Sequence, residues 1–318
     1  MLRLSGLEAG LGPTACVLGS FDGVHLGHQA LLCRAKAAAV EDGLKTAAVT
    51  FRQHPLSVLA PERMPELLST GQERAQSMER LGVDALVELE FTKALADQEP
   101  ENFIRQLVRG LQVKTLVVGY NYTFGKGGRG NPELLKALAA ELNFTLHVLE
   151  PVMQNGEPVS SSRIRELLSR GETMQAARLL GRPYGLEGEI KKGKQLGRKL
   201  GFPTLNIDFP GGKAVPSAGV YTGWICFEGG CVPAVTNIGT TPTVEDGPKI
   251  RLEAHALEPI SLVYGDRAEA LFGEKLRGEL RFASVEALQE RVLLDRETAR
   301  RWSLEHPAER LDFRGICP

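Results

Sequence analysis

Apolar and polar residues alternate along the first half of the chain in two periods. Short apolar runs predict strands, and the longer amphipathic stretches between them predict helices. Thr70 and Glu73 form a capping box at the start of a helix that stops near Gly82. The strands are predicted at 15–18, 46–51, 85–89, 115–118 and 145–149, and the other helices at 27–40, 100–108 and 132–142.

Repeated strand–helix units with short loops predict an α/β domain. Such units build a Rossmann-like parallel sheet with helices on both faces. Ligands of these sheets bind beyond the carboxyl ends of the strands. The loops that follow the predicted strands are therefore the places to look for chemistry.

The second half of the chain has a different pattern after a predicted helix at 161–170. Short β-type runs alternate with Gly and Pro turns, which predicts an antiparallel barrel or sandwich. Ser284 is the expected N-cap of a closing helix with one apolar face. We expect two domains, 1–181 and 182–318. The runs lie at 188–190, 204–207, 219–225, 232–236, 250–257 and 275–282, and the helical face contains Val285, Leu288, Val292, Ala299 and Trp302.

Composition and charge exclude several classes of protein. The chain has 318 residues, 42% of them hydrophobic, which is enough to build a core. Lys plus Arg number 38 and Asp plus Glu 39, and the signs balance in both halves, so no nucleic-acid partner is expected. No apolar run approaches the length of a membrane-spanning helix or resembles a signal peptide. We therefore expect a cytoplasmic protein without a membrane partner.

The five cysteines are odd in number and scattered along the chain. This distribution argues against a disulfide framework and favours a reducing compartment. Cys226 and Cys231 have no nearby Cys or His, which argues against zinc.

Residues 19–28 form a Gly-rich loop between a predicted strand and a predicted helix. The start of a helix offers free backbone N–H groups and a positive dipole end, which favours phosphate. His25 and His28 are three residues apart, so both imidazoles can face one side of the first turn. A structural role for the two histidines is the alternative. The candidate residues here are Gly19, Phe21, Asp22, Gly23, His25 and His28.

Three other segments lie at a strand end or a helix start. Ser161, Ser162 and Arg165 begin a helix, either as a cap with spare serines or as a second phosphate site. Asn121 follows the predicted strand 115–118, and His54 follows the strand 46–51. All four segments would converge on one crevice.

These four segments resemble the nucleotidylyltransferase superfamily. More narrowly, they are similar to the FMN adenylyltransferase module of bacterial bifunctional riboflavin kinase/FAD synthetases. The resemblance implies that the phosphate of FMN attacks the α-phosphate of ATP and releases pyrophosphate. It also implies that His25 and His28 hold the ATP phosphates. Asn121 would position the nucleotide or FMN, and the segment with Ser161, Ser162 and Arg165 would bind pyrophosphate.

A second Gly-rich segment precedes a polar strand in the second half. Thr204 and Asn206 point the same way on a strand, and their oxygens suit a hard cation such as Mg²⁺. A plain turn with a polar strand face is the alternative. The glycines and the cation that would approach ATP phosphates are Gly188, Gly193, Gly197 and Arg198.

Arg251, Glu253 and His255 share one face of an alternating run. An exposed strand edge gives the same pattern. A carboxylate at a barrel mouth can instead accept a proton from a substrate hydroxyl.

The run 197–206, together with Asn237-Ile238-Gly239 and Glu253-x-His255, resembles the signature of riboflavin kinases. The resemblance implies a six-stranded antiparallel barrel with a terminal helix. It places Thr204 and Asn206 at Mg²⁺–ATP and makes Glu253 the base for the ribityl 5′-hydroxyl. The expected substrates of the whole chain are riboflavin, FMN and ATP, with Mg²⁺ as cofactor.

The chain departs from the family pattern at several positions. Gln53 stands where the family usually has Pro, and Asn121 where it often has Asp. Thr241 replaces the usual Arg, and the segment 262–265 is altered. The riboflavin side of the second site is the part that these departures affect.

Two alternative functions stay open from the sequence. In one, a single active site works and the other has decayed. In the other, the chain is a flavin-sensing or nucleic-acid-binding regulator on the same folds. The presence of both His28 and Glu253 favours the bifunctional enzyme.

Overall fold

The protein divides into two compact units, one of them Met1–Ser161 and the other beginning at Ser162. The computed structural model describes residues 1–8, 10–193, 202–241 and 249–308. Within these ranges no helix has both the length and the apolar character needed to cross a membrane.

The first unit contains a six-stranded parallel sheet in the order β1-β4-β3-β2-β5-β6. The chain runs outward from β2 to β3 and β4, then returns to the other side of β2 as β5. The carboxyl ends of β2 and β5 therefore form the topological switch point, where α/β sheets bind ligands. The strands are β1 (Leu2–Leu4), β2 (Thr14–Leu18), β3 (Lys45–Phe51), β4 (Ala85–Leu89), β5 (Val113–Gly119) and β6 (Thr145–Leu149).

Helices pack against this sheet as the apolar pattern predicts. Phe103, Ile104 and Leu107 on one helix join Leu135 and Leu138 on the next in a core under the sheet. The helices are α1 (Leu26–Asp42), α2 (Leu56–Leu59), α3 (Gly71–Arg80), α4 (Lys93–Ala96), α5 (Pro100–Gly110) and α6 (Pro132–Leu142). A small hairpin follows, with strands β7 (Met153–Gln154) and β8 (Glu157–Pro158).

The predicted strands and helices of the first unit are confirmed, but the short elements β1, α2, α4, β7 and β8 were not predicted. The Thr70 hydroxyl accepts from the Glu73 N–H at 3.2 Å, and the Glu73 carboxylate accepts from the Thr70 N–H at 2.8 Å. The sequence did not predict the edge strand β1. It has only three residues and none is fully buried, so it leaves no apolar run to detect.

The second unit contains a closed barrel in which all neighbouring strands are antiparallel. The barrel, and not a sandwich, is therefore the correct alternative. Its strands, in barrel order, are β10 (Leu205–Asp208), β13 (Lys249–Ala256), β12 (Gly230–Thr241), β11 (Gly219–Phe227), β14 (Arg267–Arg277) and β9 (Tyr184–Lys191). Three helices accompany it, α7 (Ser161–Arg170), α8 (Thr173–Leu180) and α9 (Val285–Glu305).

Three elements of this unit differ from the predictions. The helix α8 was not predicted, and β14 begins at Arg267 and not at 275. Ser284 caps α9 as expected, since its hydroxyl accepts from the Ala287 N–H at 3.1 Å. Val285 is 50% exposed, because the buried residues of α9 lie in its second half.

The expectation that disulfides are absent is wrong. Cys226 and Cys231 form a disulfide, with 4.1 Å between their Cα atoms. The strands β11 and β12 each extend two residues beyond the predicted runs, which places the two cysteines opposite each other across a tight hairpin. Cys33 is also disulfide-bonded. The prediction of a reducing compartment rested on the absence of disulfides, so the cysteines no longer support it.

Candidate active sites

The loop between β2 and α1 is shaped by left-handed backbone conformations. Phe21 and Val24 have φ angles of 53° and 43°, which non-glycine residues seldom adopt. His25 follows as the N-cap of α1, and its Nδ1 accepts from the His28 N–H at 3.4 Å. Because Nδ1 is the acceptor, the proton of a neutral His25 lies on Nε2.

His25 and His28 form a stacked pair at the start of α1. Their ring centroids are 3.7 Å apart and their planes differ by 19°. Gly27 makes room for this pair, since a Cβ there would lie 3.1 Å from the His25 ring. The edge of Phe21 contacts His28 at a centroid distance of 5.3 Å. The predicted sharing of one face by the two imidazoles is therefore present.

The electrostatic state of His28 follows from its surroundings. Burial, and then the neighbouring His25, lower the pKa of His28 well below its ordinary value. His28 is therefore neutral near pH 7 and offers one donor and one acceptor. Its Nδ1 atom is buried and has no hydrogen-bond partner among the described residues. Buried polar atoms of this kind are rare and often face a ligand.

Asp22 fixes the loop to a neighbouring segment. Its carboxylate accepts from the backbone N–H groups of Leu68 at 2.8 Å and Ser69 at 3.1 Å. Its carbonyl accepts from the Ser161 hydroxyl at 2.9 Å, which brings together residues 139 positions apart in the chain. The Gly23 N–H donates to the Ser69 hydroxyl at 3.0 Å. These contacts give Asp22 and Ser161 a positioning role.

A buried ion-pair cluster lies at the ends of β3 and β4, and the sequence did not reveal it. The Arg74 guanidinium donates to the Glu88 carboxylate at 3.1 Å and to the Phe51 carbonyl at 3.0 Å. Arg3 donates to the same carboxylate from the other side. Burial alone would raise the pKa of Glu88, but these hydrogen bonds outweigh it and lower the pKa. The cluster fixes two strand ends that border the site.

His54 and Gln53 shape the segment after β3. The Nδ1 atom of His54 accepts at 3.2 Å from the N–H of Leu56, the first residue of the short helix α2. Gln53, which stands in place of the family's Pro, donates its side-chain amide to the Phe91 carbonyl at 2.9 Å. A small cavity of about 40 Å³ lies here, lined by Ser20, Asp22, Thr50, Phe51, Arg52, Gln53, His54, Pro55, Leu67, Ser69, Gly71 and Arg74.

The remaining candidates of the first site have different positions. Gly19 directly follows β2, and its N–H donates to the Val49 carbonyl at 3.3 Å. Asn121 is exposed just beyond the carboxyl end of β5. Ser162 and Arg165 lie in α7, in the second compact unit. Their contact with the nucleotide stays a prediction.

Three neighbouring strands of the barrel place polar side chains in one row. Glu253 on β13 lies opposite Asn206 on β10 and opposite Asn237 on β12. Directly opposed residues of a sheet share a face. The Glu253 side chain is 26% exposed, so it is accessible yet partly shielded. The row is the polar part of the barrel's candidate site.

Gly193 allows Asn206 to take its place in this row. A Cβ at Gly193 would collide with the side-chain amide of Asn206, so only glycine fits there without a shift. Gly188 likewise permits close approach to the Asp208 carbonyl. Thr204 is exposed and directly precedes β10. Gly197 and Arg198 lie outside the described residues.

Arg251 accompanies Glu253 on the same face of β13. Its Nε lies 3.4 Å from the Glu253 carboxylate. Arg251 lies opposite Gly239. A Cβ at residue 239 would lie 2.8 Å from the Glu279 carboxylate. Glycine at 239 thus leaves the space beside Glu253 to these longer charged side chains.

His255 holds the chain that leads into β10. Its Nδ1 lies 2.8 Å from the Pro203 carbonyl and donates to it, and its ring packs against Phe202. Burial lowers the pKa of His255, and nearby Arg296 contributes, against the hydrogen bond to Pro203. The motif Glu253-x-His255 includes His255, but the sequence assigned no function to this residue. The contact explains it, because Thr204 directly follows Pro203.

The donor set of the barrel fits magnesium. Mg²⁺ prefers oxygen ligands and usually keeps water and substrate phosphates in its shell. The Asn206 amide and the Glu253 carboxylate are neighbours in the row, and Thr204 adds a hydroxyl two residues from Asn206. No cluster of three His, Cys, Asp or Glu side chains suited to a metal occurs among the described residues. A magnesium ion here would thus depend largely on ATP oxygens.

Comparison with known families assigns each unit a relative. The FAD synthetase family matches residues 8–163, which include the His25–His28 loop. The riboflavin kinase family matches residues 180–303, which include the Asn206–Glu253–Asn237 row. The two matches together span most of the chain, in the order predicted.

Whole-chain relatives carry both domains. A bifunctional riboflavin kinase/FMN adenylyltransferase from Pseudomonas fluorescens is 37% identical over 284 residues, covering 89% of this chain and 91% of the relative. The protein of that name from Bacillus subtilis is 33% identical, covering 90% and 91%.

A solved structure has the same fold over nearly the full length. It is described as a macrolide-efflux protein from Streptococcus pneumoniae, with a TM-score of 0.87 and 27% identity. It covers 95% of this chain and 99% of its own. Its likeness supports the two-domain fold. The identity to the curated relatives over nine tenths of their length decides the family, and this chain belongs to the bifunctional riboflavin kinase/FMN adenylyltransferases.

Proposed function

We propose that the chain makes both flavin cofactors from riboflavin. The barrel unit transfers the γ-phosphoryl group of ATP to riboflavin and forms FMN. The sheet unit transfers the AMP part of ATP to FMN, forming FAD and pyrophosphate. The observation that carries this proposal is the presence of both family matches in one chain, each over a cluster of polar residues of the expected type.

In the sheet unit, catalysis is assigned to positioning and to neutral donors. An oxygen of the FMN phosphate attacks the α-phosphorus of ATP, and the bond to the bridging oxygen of pyrophosphate breaks. The start of α1 favours the phosphates through its dipole and free N–H groups. His25 donates through Nε2, and the neutral His28 adds a second contact. Both stabilise charge as it moves to pyrophosphate.

The other proposed residues of this site act around the two histidines. Gly19, Phe21 and Gly23 shape the loop, and Asp22 and Ser161 fix it. His54 and Asn121 contact the nucleotide or FMN. Ser162 and Arg165 bind the leaving pyrophosphate through charge-assisted hydrogen bonds.

In the barrel unit, Glu253 is proposed as the general base. It accepts the proton of the riboflavin 5′-hydroxyl as that oxygen attacks the γ-phosphorus of ATP and ADP leaves. Arg251 lies beside the carboxylate, with its Nε 3.4 Å from a carboxylate oxygen. Asn206 and Thr204 would hold Mg²⁺, which neutralises developing phosphate charge. Gly188, Gly193, Gly197 and Arg198 would border the ATP phosphates.

The finer proposals concern boundaries and surroundings. We assign 1–181 to FMN adenylylation and 182–318 to riboflavin phosphorylation, since the barrel begins at Tyr184. The small-molecule partners are riboflavin, FMN and ATP, with no nucleic acid, as the balanced charge favours. The cytoplasmic location stays a prediction from the sequence.

The test incubates the full chain with riboflavin, ATP and Mg²⁺ and resolves flavins over time. FMN is expected first and FAD after it, with ADP and pyrophosphate as co-products. A second arm supplies FMN directly. No FMN from riboflavin would overturn the kinase assignment, and no FAD from supplied FMN would overturn the adenylyltransferase assignment. Omission of Mg²⁺ is expected to stop phosphorylation.

A further inference from the structure

A cavity in the second unit lies apart from the row of Asn206, Glu253 and Asn237. Its volume is about 310 Å³, and it lies between α8, β14 and the end of α9. None of the three row residues lines it. This volume is at the lower end of the range of about 300–1,000 Å³ that small-molecule sites occupy.

The walls of the cavity are apolar and held in place. Trp302 and His306 stack with their ring centroids 4.6 Å apart and their planes at 10°. The His306 Nδ1 lies 3.0 Å from the Trp302 carbonyl, and the Trp224 indole N–H donates to the His306 carbonyl at 3.2 Å. Phe272, only 1% exposed, forms part of the floor. A flat ring that enters here would meet the partly exposed ring of His306, which Trp302 holds in place, and aromatic rings favour stacked or edge contacts.

Two of the polar lining residues of the cavity are arginines, whose charge favours an anion. Arg178 and Arg182 line it together with His306, and no carboxylate is among its described lining residues. Arg178 is exposed on α8, so its guanidinium can turn toward a ligand in the opening. Guanidinium groups bind carboxylate and phosphate through paired hydrogen bonds and also stack on rings.

We infer that this cavity binds a small planar aromatic anion, a ring system that carries one carboxylate or phosphate group. The ring packs against Met174, Pro183 and the partly exposed ring of His306. The anionic group lies at the opening, where Arg178 donates to it. This binding requires neither the kinase nor the adenylyltransferase activity.

Tryptophan fluorescence of the full-length protein reports binding directly. The chain contains two tryptophans: Trp302 lies near the end of α9, and Trp224 on β11 donates to the carbonyl of His306, directly after α9. The probes are AMP for a phosphate source and benzoate for a carboxylate source, with adenosine and benzamide as neutral counterparts. We expect saturable quenching by at least one of the two anions. Its neutral counterpart should bind at least about tenfold more weakly, because hydrogen bonds to charged groups contribute a binding free energy of that size. The anion that binds identifies the source.

Two variants test the site, and each has a control. Arg178→Ala is expected to weaken anion binding about tenfold. Arg301→Ala removes an equal charge from α9 outside the lining and is expected to change nothing. Ala177→Leu fills the cavity and is expected to abolish quenching. Melting curves and both flavin reactions establish that each variant is folded.

Several results would overturn the inference. These are the absence of saturable quenching by both anions, equal binding of the neutral counterparts, or unchanged affinity in both Arg178→Ala and Ala177→Leu. A change of tryptophan emission with protein concentration alone, lost in Ala177→Leu, would assign the cavity to a second copy of the chain. That result would also overturn the small-molecule site.

Discussion

The two candidate sites are built in opposite ways. In the sheet unit, the histidine pair lies in a loop that distant segments hold through Asp22 and Ser161. In the barrel unit, strand register alone places Asn206, Glu253 and Asn237 in one row. The first site offers a histidine pair with a neutral His28 at a helix start, and the second offers a carboxylate beside an arginine.

The difference follows from the two chemistries. Adenylylation starts from a phosphate that is already a nucleophile, so donors and a dipole suffice. Phosphorylation starts from a hydroxyl that must lose a proton, so a base is required. The position of a single base depends on the exact strand pairing, whereas a phosphate cradle depends on how well its loop is fixed.

The largest effect is expected from Glu253→Gln. The amide keeps the shape but accepts no proton, and loss of a general base costs about 10²–10⁴ in rate. Riboflavin phosphorylation should fall by this factor, while adenylylation of supplied FMN stays near wild type. Glu228→Gln, in the exposed hairpin turn, is the control. An unchanged kinase rate in folded Glu253→Gln would show that Glu253 is only a solvated residue on an exposed strand face and not the general base.

His28→Ala is expected to separate the two sites in the other direction. Loss of one donor to developing charge costs about 10²–10³ in rate. Adenylylation should fall and FMN should accumulate, with ATP affinity reduced less than the rate. His147→Ala, in the same unit, is the matched control. Preserved adenylylation with a lower melting temperature would make His28 a packing residue only.

Glu88→Gln tests how firmly the first site's borders are held. Breaking a buried ion pair on one side costs about 3 kcal/mol of unfolding free energy. The pKa of Glu88 is lowered in the folded state, so its contribution is present above the ordinary value of 4.5 and disappears as pH falls below it. Stability of wild type and variant should therefore converge in acid.

Denaturant unfolding at pH 7 and at decreasing pH measures this difference. Glu90→Gln, an exposed neighbour of the same strand end, is expected to change little. A stability gap between wild type and Glu88→Gln that does not narrow below pH 4.5 would contradict the ion-pair explanation.

The smallest effect is expected from Gly193→Ala. The new methyl group displaces the Asn206 amide from the row, and a misplaced ligand-binding group slows phosphorylation by about tenfold or more. Gly211→Ala is the control, because a Cβ there meets open space. Equal kinase rates in the two variants would show that the position of Asn206 does not matter.

The sequence predicted those features whose signals are local. The apolar runs of β2 to β6 and the Thr70 capping box lie within a few consecutive residues. The Gly and Pro turns between short runs predicted an antiparallel barrel or sandwich, and the resemblance to riboflavin kinases implied the barrel that is observed. β14 was placed late because its first buried positions, Ala268 and Ala270, are small and give a weak alternation.

The features that the sequence missed depend on distant pairing. Arg74 and Glu88 meet only because α3 returns across the end of β4. The Cys226–Cys231 disulfide depends on the last two residues of β11 and the first two of β12, where boundaries are least certain from a pattern. The contact between His255 and Pro203 joins residues 52 positions apart. No local signal marks any of these three.

The closure of the barrel has a consequence for the order in which a growing chain can fold. Its first strand, β9, pairs with β14, the last barrel strand to be synthesised. Until Arg277 has been made, β9 and β11 each have an edge that no partner covers, and such edges are sites of aggregation. The sheet unit is complete by then, since domains fold as units from the N-terminus during synthesis. If translation stalls between β13 and β14, the released chain therefore has a folded first unit and an unclosed second unit whose unpaired strand edges favour aggregation.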